Sequence, residues 1–142
     1  MTQVDFYVLK APGPQERLRF ACRLVDKAWR LGHRVHVHTG SAPLSHELDT
    51  LLWTFAQNSF VPHGLEGEAG DPPPPVLIGH EGEPEPGDVL VNLAGEVPLF
   101  FSRFQRVAEI VGGDEQVRAQ GRQRYSFYKQ RGYPLRSHEI QT

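Results

Sequence analysis

The period of the apolar positions changes several times along this chain, and each change marks an element. Val4–Leu9 is β-branched and aromatic, stops at Ala11-Pro12-Gly13-Pro14, and predicts a strand. From Gln15 to Leu31 the period lengthens: Leu18, Cys22, Val25 and Trp29 recur at helical spacing, and Gly32 supplies a stop. Arg34–Thr39 alternates again, with Val35 and Val37 on one face and His36 and His38 on the other. Ser45 is the expected N-cap of a helix to about Phe55, carrying Leu48, Leu51, Leu52 and Phe55. Gln57–His63 reads as a connector and 64–75, rich in Gly, Glu and Pro, as a loop. Short strands are expected at Val76–Ile78 and Asp88–Leu93, a short helix at Val97–Phe104, and a last strand at Arg106–Val111. Gly112-Gly113 ends that strand, and Asp114 or Glu115 starts a final helix with acid at its positive end. Alternating strands and helices over 142 residues predict one α/β domain, 1–142, layered around a mostly parallel sheet.

Charge sharpens this outline. The net charge is only −2, but it is segregated. Residues 64–96 hold eight acids and no Lys or Arg, whereas 103–136 hold eight bases against Glu109, Asp114 and Glu115. Such asymmetry suggests a partner that reads one sign of charge. No apolar run approaches the roughly 20 residues that span a bilayer. The start, MTQVDFYVL, lacks the pattern of a signal peptide, and the one cysteine, Cys22, falls on a helical core stripe. A cytoplasmic protein is expected.

The basic segment is the last helix. Arg118, Arg122, Tyr125 and Lys129 share one face, and Val117, Gly121, Arg124 and Tyr128 share another. Two guanidiniums one turn apart can clamp a carboxylate or phosphate while neighbouring apolar surface holds a ring. A solvated helix face whose rings belong to the core would show the same stripe. In the second half of the helix expected from Ser45 to about Phe55, Trp53 lies off the apolar stripe and close to Phe60-Val61-Pro62-His63. It either anchors a partner or widens the core stripe.

Other chemistry is missing from the sequence. No GxGxxG follows the first strand, which runs into KAPGPQ, and no GxxxxGK[ST] occurs. Prolines 12 and 14 remove amides that a phosphate-binding turn would need. His46-Glu47 opens like HExxH, but the fifth residue is Thr50. No serine sits in a GxSxG elbow. No metal, cofactor or catalytic residue is assigned. Three classes stay open: a peptide-binding adaptor, a domain that binds nucleic acid directly through the basic helix, and a small enzyme with a histidine-lined site.

The segments DFYVL, ACRLVDKAWRLGHRVHVHT, LDTLLWTF with FVPH, PVLIG, DVLVNL and GRQRYSFYKQRGY, in this order and spacing, resemble the chi subunits of bacterial DNA polymerase III holoenzyme, part of the clamp-loader complex. The resemblance runs over nearly the whole chain. It implies a Rossmann-like three-layer fold without nucleotide binding or catalysis, and a nucleoid-associated place in the cytoplasm. It implies two protein partners: the acidic C-terminal tail of single-stranded DNA-binding protein (SSB), which ends in Pro-Phe, and the psi subunit, which tethers chi to the clamp loader. By position, Arg118 and Arg122 match basic residues of the tail site and Tyr125 the tyrosine beside its pocket, with Val111 and Val117 nearby. Trp53, Phe60, Val61, Pro62 and His63 match the region associated with psi and with alternative helicase partners. The chain departs from the family pattern at Pro72–Pro75 and in its ending, LRSHEIQT, which has no terminal tryptophan.

Overall fold

A computed structural model describes residues 1–141. Among these residues seven strands, all paired in parallel, form one sheet with helices on both faces. In chain order the elements are β1 (Gln3–Leu9), α1 (Pro14–Arg30), β2 (Val35–His38), α2 (Ala42–Thr54), β3 (His63–Leu65), β4 (Val76–Gly79), β5 (Gly87–Asn92), β6 (Phe104–Val111), α3 (Glu115–Gln130) and β7 (Leu135–Ile140). Across the sheet the order is β3-β4-β2-β5-β6-β1-β7. The expected three-layer α/β fold is the one observed.

Alternation along the strands divides the core in two. Val35, Val37, Val76, Ile78, Val89, Val91, Ala108 and Ile110 face α1 and α2. Val4, Phe6, Leu90, Val107 and Val111 face the other way, toward α3 and a cluster of Phe100, Phe101, Phe104 and Tyr128. Leu18, Cys22 and Val25 of α1 and Leu48 and Leu52 of α2 are buried at the helical spacing seen in the sequence.

Several boundaries differ from expectation, for identifiable reasons. Ser41, not Ser45, caps α2: its side chain accepts from the Leu44 amide at 3.3 Å. Ser45 lies one turn inside, buried, with its hydroxyl 2.6 Å from Thr39 Oγ1 and 3.0 Å from His80 Nδ1. The expected helix at 97–104 shrinks to a 3₁₀ turn, Phe101–Arg103, because Phe100, Phe101 and Phe104 all turn inward. Two strands were not expected. β3 takes the last residue of the expected connector and the first two of the expected 64–75 loop, and β7 carries the polar sequence LRSHEI. Both are edge strands, so neither needs the apolar alternation that announces a strand buried on two faces.

His36 and His38 share the face opposite Val35 and Val37, as the alternation predicts, and both pack against Phe100. Burial, with a smaller contribution from nearby His38, lowers the pKa of His36 to about 4. Between its unfolded pKa of about 6.5 and that value, the unfolded chain binds a proton that the folded chain does not. The contribution to stability is therefore complete above about pH 6.5 and is lost as pH falls toward 4, by at most about 1.4 kcal/mol per pH unit. Urea midpoints at about pH 7.5 and pH 5 measure this loss, and His36→Gln should flatten it.

Candidate functional site

In open parallel sheets, ligands sit at the carboxyl ends of two adjacent strands whose following helices depart to opposite faces. Here those strands are β1 and β6: α1 leads from β1 toward β2 on one face, and α3 leads from β6 to β7 on the other. The protein fills this crevice itself. The Gly113 amide donates to Ala11 O at 3.1 Å, and the Gly13 amide donates to Asp114 Oδ2 at 3.1 Å. Beneath them Arg17 donates to Ile110 O at 2.9 Å and Leu93 O at 3.0 Å. Its pKa is lowered to about 10, chiefly by burial. Proline at the start of α1 removes one amide, and the plug engages those of Gly13 and Gly113, so neither of these two is offered to a phosphate.

An open cleft of about 260 Å³ lies instead between α3 and the β1–β7 edge. Phe6 and Val8 of β1, Val111 at the end of β6 and Ser137 of β7 supply the sheet side; Arg118, Gly121, Arg122 and Tyr125 supply the helix side. The two arginines differ in state. Arg118 donates from Nη2 to Leu9 O at 3.1 Å, which orients the side chain along the cleft, and its Nε is buried with no partner. Arg122 is 65% exposed and pairs at 3.1 Å with Glu115, itself 83% exposed. Such a pair contributes little and yields readily to another carboxylate. Tyr125 meets the Phe6 ring edge-on, with centroids 5.2 Å apart. Gly121 lets α3 lie close to Val111: a Cβ at 121 would come within 2.9 Å of Val111 Cγ2. The cleft thus offers cationic donors over an apolar, ring-walled floor.

Of the tail-site residues taken from the sequence, Arg118, Arg122, Tyr125 and Val111 meet in this cleft. Val117 does not line it; it is half-buried, packs against the α3-side core and sits beside Gly112. Lys129 is exposed one turn beyond. Phe6, Val8 and Ser137 had no signal as site residues. They come from β1 and from the unexpected β7, and only the sheet order brings them under α3.

Behind the cleft lies a polar cluster that the sequence pattern did not announce. Glu109, wholly buried on β6, accepts from Arg124 Nε at 2.8 Å, Tyr128 OH at 2.7 Å and Asn92 Nδ2 at 3.0 Å. Arg124 also donates to Gly95 O at 3.0 Å, leaving Nη2 buried and unpartnered. The Tyr128 hydroxyl is held far above its usual pKa by burial and by the adjoining carboxylate. A signal was present: an acid inside the apolar run RVAEIV and an arginine in the core-facing stripe of α3 each demand a buried partner of opposite charge.

At the β3 edge of the sheet, 61% of Trp53 and 76% of Phe60 are exposed. Trp53 leans on the His63 ring, centroids 4.4 Å apart. The His63 side chain is buried, with Nδ1 2.7 Å from Val61 O and Nε2 3.0 Å from Asp49 O, and so ties the connector to α2. Ser59 donates to Asp26 at 3.1 Å and ties it to α1. Pro62 is exposed, but Val61 is 1% exposed and belongs to the core; it supports this surface from beneath. Among the described residues no three His, Cys, Asp or Glu side chains are grouped to hold a metal ion. No described helix is long and apolar enough to cross a membrane.

Comparison with known proteins decides the lineage. The family model described as DNA polymerase III chi subunit, HolC, matches residues 1–136. The chain belongs to the DNA polymerase III chi subunit family. A Pseudomonas aeruginosa relative, named DNA polymerase III subunit chi, is 44% identical over 143 residues, covering 99% of this chain and 98% of that protein. A Haemophilus influenzae relative of the same name is 32% identical, covering 96% of each. The crystal structure of T4 UvsW superposes with a TM-score of 0.71 at 9% identity, over 99% of this chain and 42% of that one. This last likeness concerns the α/β fold alone.

Proposed function

We propose that this chi-family chain is a non-catalytic accessory of DNA polymerase III in DNA replication, and that its α3 cleft takes up the acidic C-terminal tail of SSB. One observation carries the reading: two guanidiniums, one with a buried unpartnered Nε, stand over an apolar floor walled by Phe6 and Tyr125. Carboxylates of the tail would replace Glu115 at Arg122 and reach Arg118, while the terminal ring would settle on Phe6, Val8 and Val111. Calorimetry with a tail peptide tests it. Charge reversal, Arg122→Glu, should weaken binding at least tenfold, about 1.4 kcal/mol. Unchanged affinity in a folded variant would sink the assignment. Added salt should also weaken binding, since Arg122 is solvent-exposed.

The Trp53–Phe60 surface is the proposed dock for psi, or for a helicase that uses the same site. Two large exposed aromatics, Trp53 on α2 and Phe60 on the tied-down connector, supply the anchors that protein interfaces favour. Trp53→Ala should change stability by no more than about 0.5 kcal/mol, because the ring is mostly exposed. It should cost about 2 kcal/mol in binding to psi. Paired urea titration and calorimetry separate the two effects.

Direct binding of nucleic acid through α3 is the less favoured reading. Arg124 is committed to a buried ion pair and Arg131, just past the helix, lies over Phe127 at 3.6 Å, which leaves Arg118, Arg122 and Lys129 on α3 for a phosphate backbone. A gel shift with single-stranded DNA alone, showing submicromolar binding, would reverse that preference.

A further inference from the structure

The Glu109 cluster and the cleft are two faces of one helix. Arg124 and Tyr125 are neighbours in sequence, about 100° apart around α3. Arg124 and Tyr128, one turn apart, reach inward to Glu109, whereas Tyr125, Arg122 and Arg118 look into the cleft. Any rotation or lift of α3 that loosens the first set therefore moves the second. Gly121 lies between the sets against Val111, with no room for even a Cβ, so the helix has no slack at that point. Packing alone could hold α3 down, but apolar contact is non-directional and tolerates small rotations. The carboxylate is directional: its two oxygens are shared among Arg124, Tyr128 and Asn92, and Asn92 is itself fixed to Glu96 O at 3.1 Å and to the Ala94 amide at 3.0 Å.

We propose that Glu109 is the positioning residue of the cleft: by holding Arg124 and Tyr128 together it fixes the rotation of α3 at which Arg118, Arg122 and Tyr125 converge on a ligand. Buried ion pairs are poor sources of stability, and apolar replacement of the whole pair is often neutral or stabilising. Their better-attested use is to specify one arrangement among several. The proposal rests on the peptide-binding reading of the cleft given above.

Two variants test it, Glu109→Gln and the apolar pair Glu109→Met/Arg124→Met, with an acidic tail peptide as probe and Arg122→Glu as the control for the cleft. Removing a negative charge near the cleft would, by long-range electrostatics alone, tighten binding of an anionic peptide. Loss of positioning should weaken it, about fivefold or more. The expected result is weaker binding by both variants, with the methyl resonances of Val8 and Val111 displaced, even where the apolar pair regains wild-type melting. If Glu109→Gln fails to fold, the apolar pair decides. Wild-type affinity with unmoved methyl resonances in a folded variant overturns the proposal. If the wild-type protein takes up no peptide, the cleft reading fails on its own account, and the methyl resonances alone decide whether Glu109 sets the helix.

Discussion

Replacing Arg124 by methionine should cost about 3–5 kcal/mol of folding stability, because it strands the wholly buried Glu109 carboxylate without its counter-ion. Methionine keeps the apolar stem of arginine out to about Nε, so the loss measures charge compensation and the lost hydrogen bonds more than loss of the stem. Tyr128 and Asn92 still donate to the carboxylate, which places the effect inside that range rather than above it. Against a typical total of about 5–15 kcal/mol, this removes a large share of stability. The melting temperature should fall on the order of 10 °C or more. Chemical denaturation at neutral pH gives the free energy directly, and a change below about 1 kcal/mol would mean that the carboxylate does not depend on Arg124 as its geometry implies. Adding Glu109→Met in the same chain should recover most of the loss, since it removes the stranded charge.

Gly113→Ala should be the second large effect. A Cβ there would lie 2.5 Å from Lys10 O and 2.6 Å from Ala11 O, both backbone atoms that no rotamer change can move. The β6–α3 turn must shift outward, breaking the Gly113–Ala11 and Gly13–Asp114 hydrogen bonds that seal the crevice between β1 and β6. Overpacking of this kind costs about 2–3 kcal/mol. A urea midpoint shows the cost, and faster exchange of the Gly13 amide would localise it. Gly67→Ala makes a useful contrast: no atom lies within 4 Å of its Cβ, so any loss there reflects only the backbone conformation at φ 89°.

The Arg124 and Gly113 neighbourhoods also show what was legible in the sequence. Periodicity located both helices of the α1–α2 face, the alternation of β2, and the two stripes of α3. It did so because burial there is repeated and regular. It missed β3 and β7, whose single-sided pairing leaves polar residues in place, and it placed the α2 cap one turn late because Ser45 is buried for a tertiary hydrogen bond rather than a local one. The arginines of the cleft could be named from spacing and resemblance. Of their floor Val111 could be named too, but Phe6, Val8 and Ser137 could not, because they reach it only through the strand order. Glu109 and Arg124 were readable as a pair of misfits, each charged inside an apolar pattern, but nothing local says that they meet.

The strand order has one more consequence. The aromatic surface stands at the β3 edge and the cationic cleft lies over β6, β1 and β7, with β4, β2 and β5 between them. Four to six inter-strand gaps of about 4.8 Å put the two surfaces roughly 19–29 Å apart across a hydrogen-bonded slab. The segments that dock on the two surfaces would not meet on the sheet itself. What the slab transmits is position: whatever grips one edge is kept at a fixed distance from whatever grips the other, and force applied at one is borne by backbone ladders rather than by side chains.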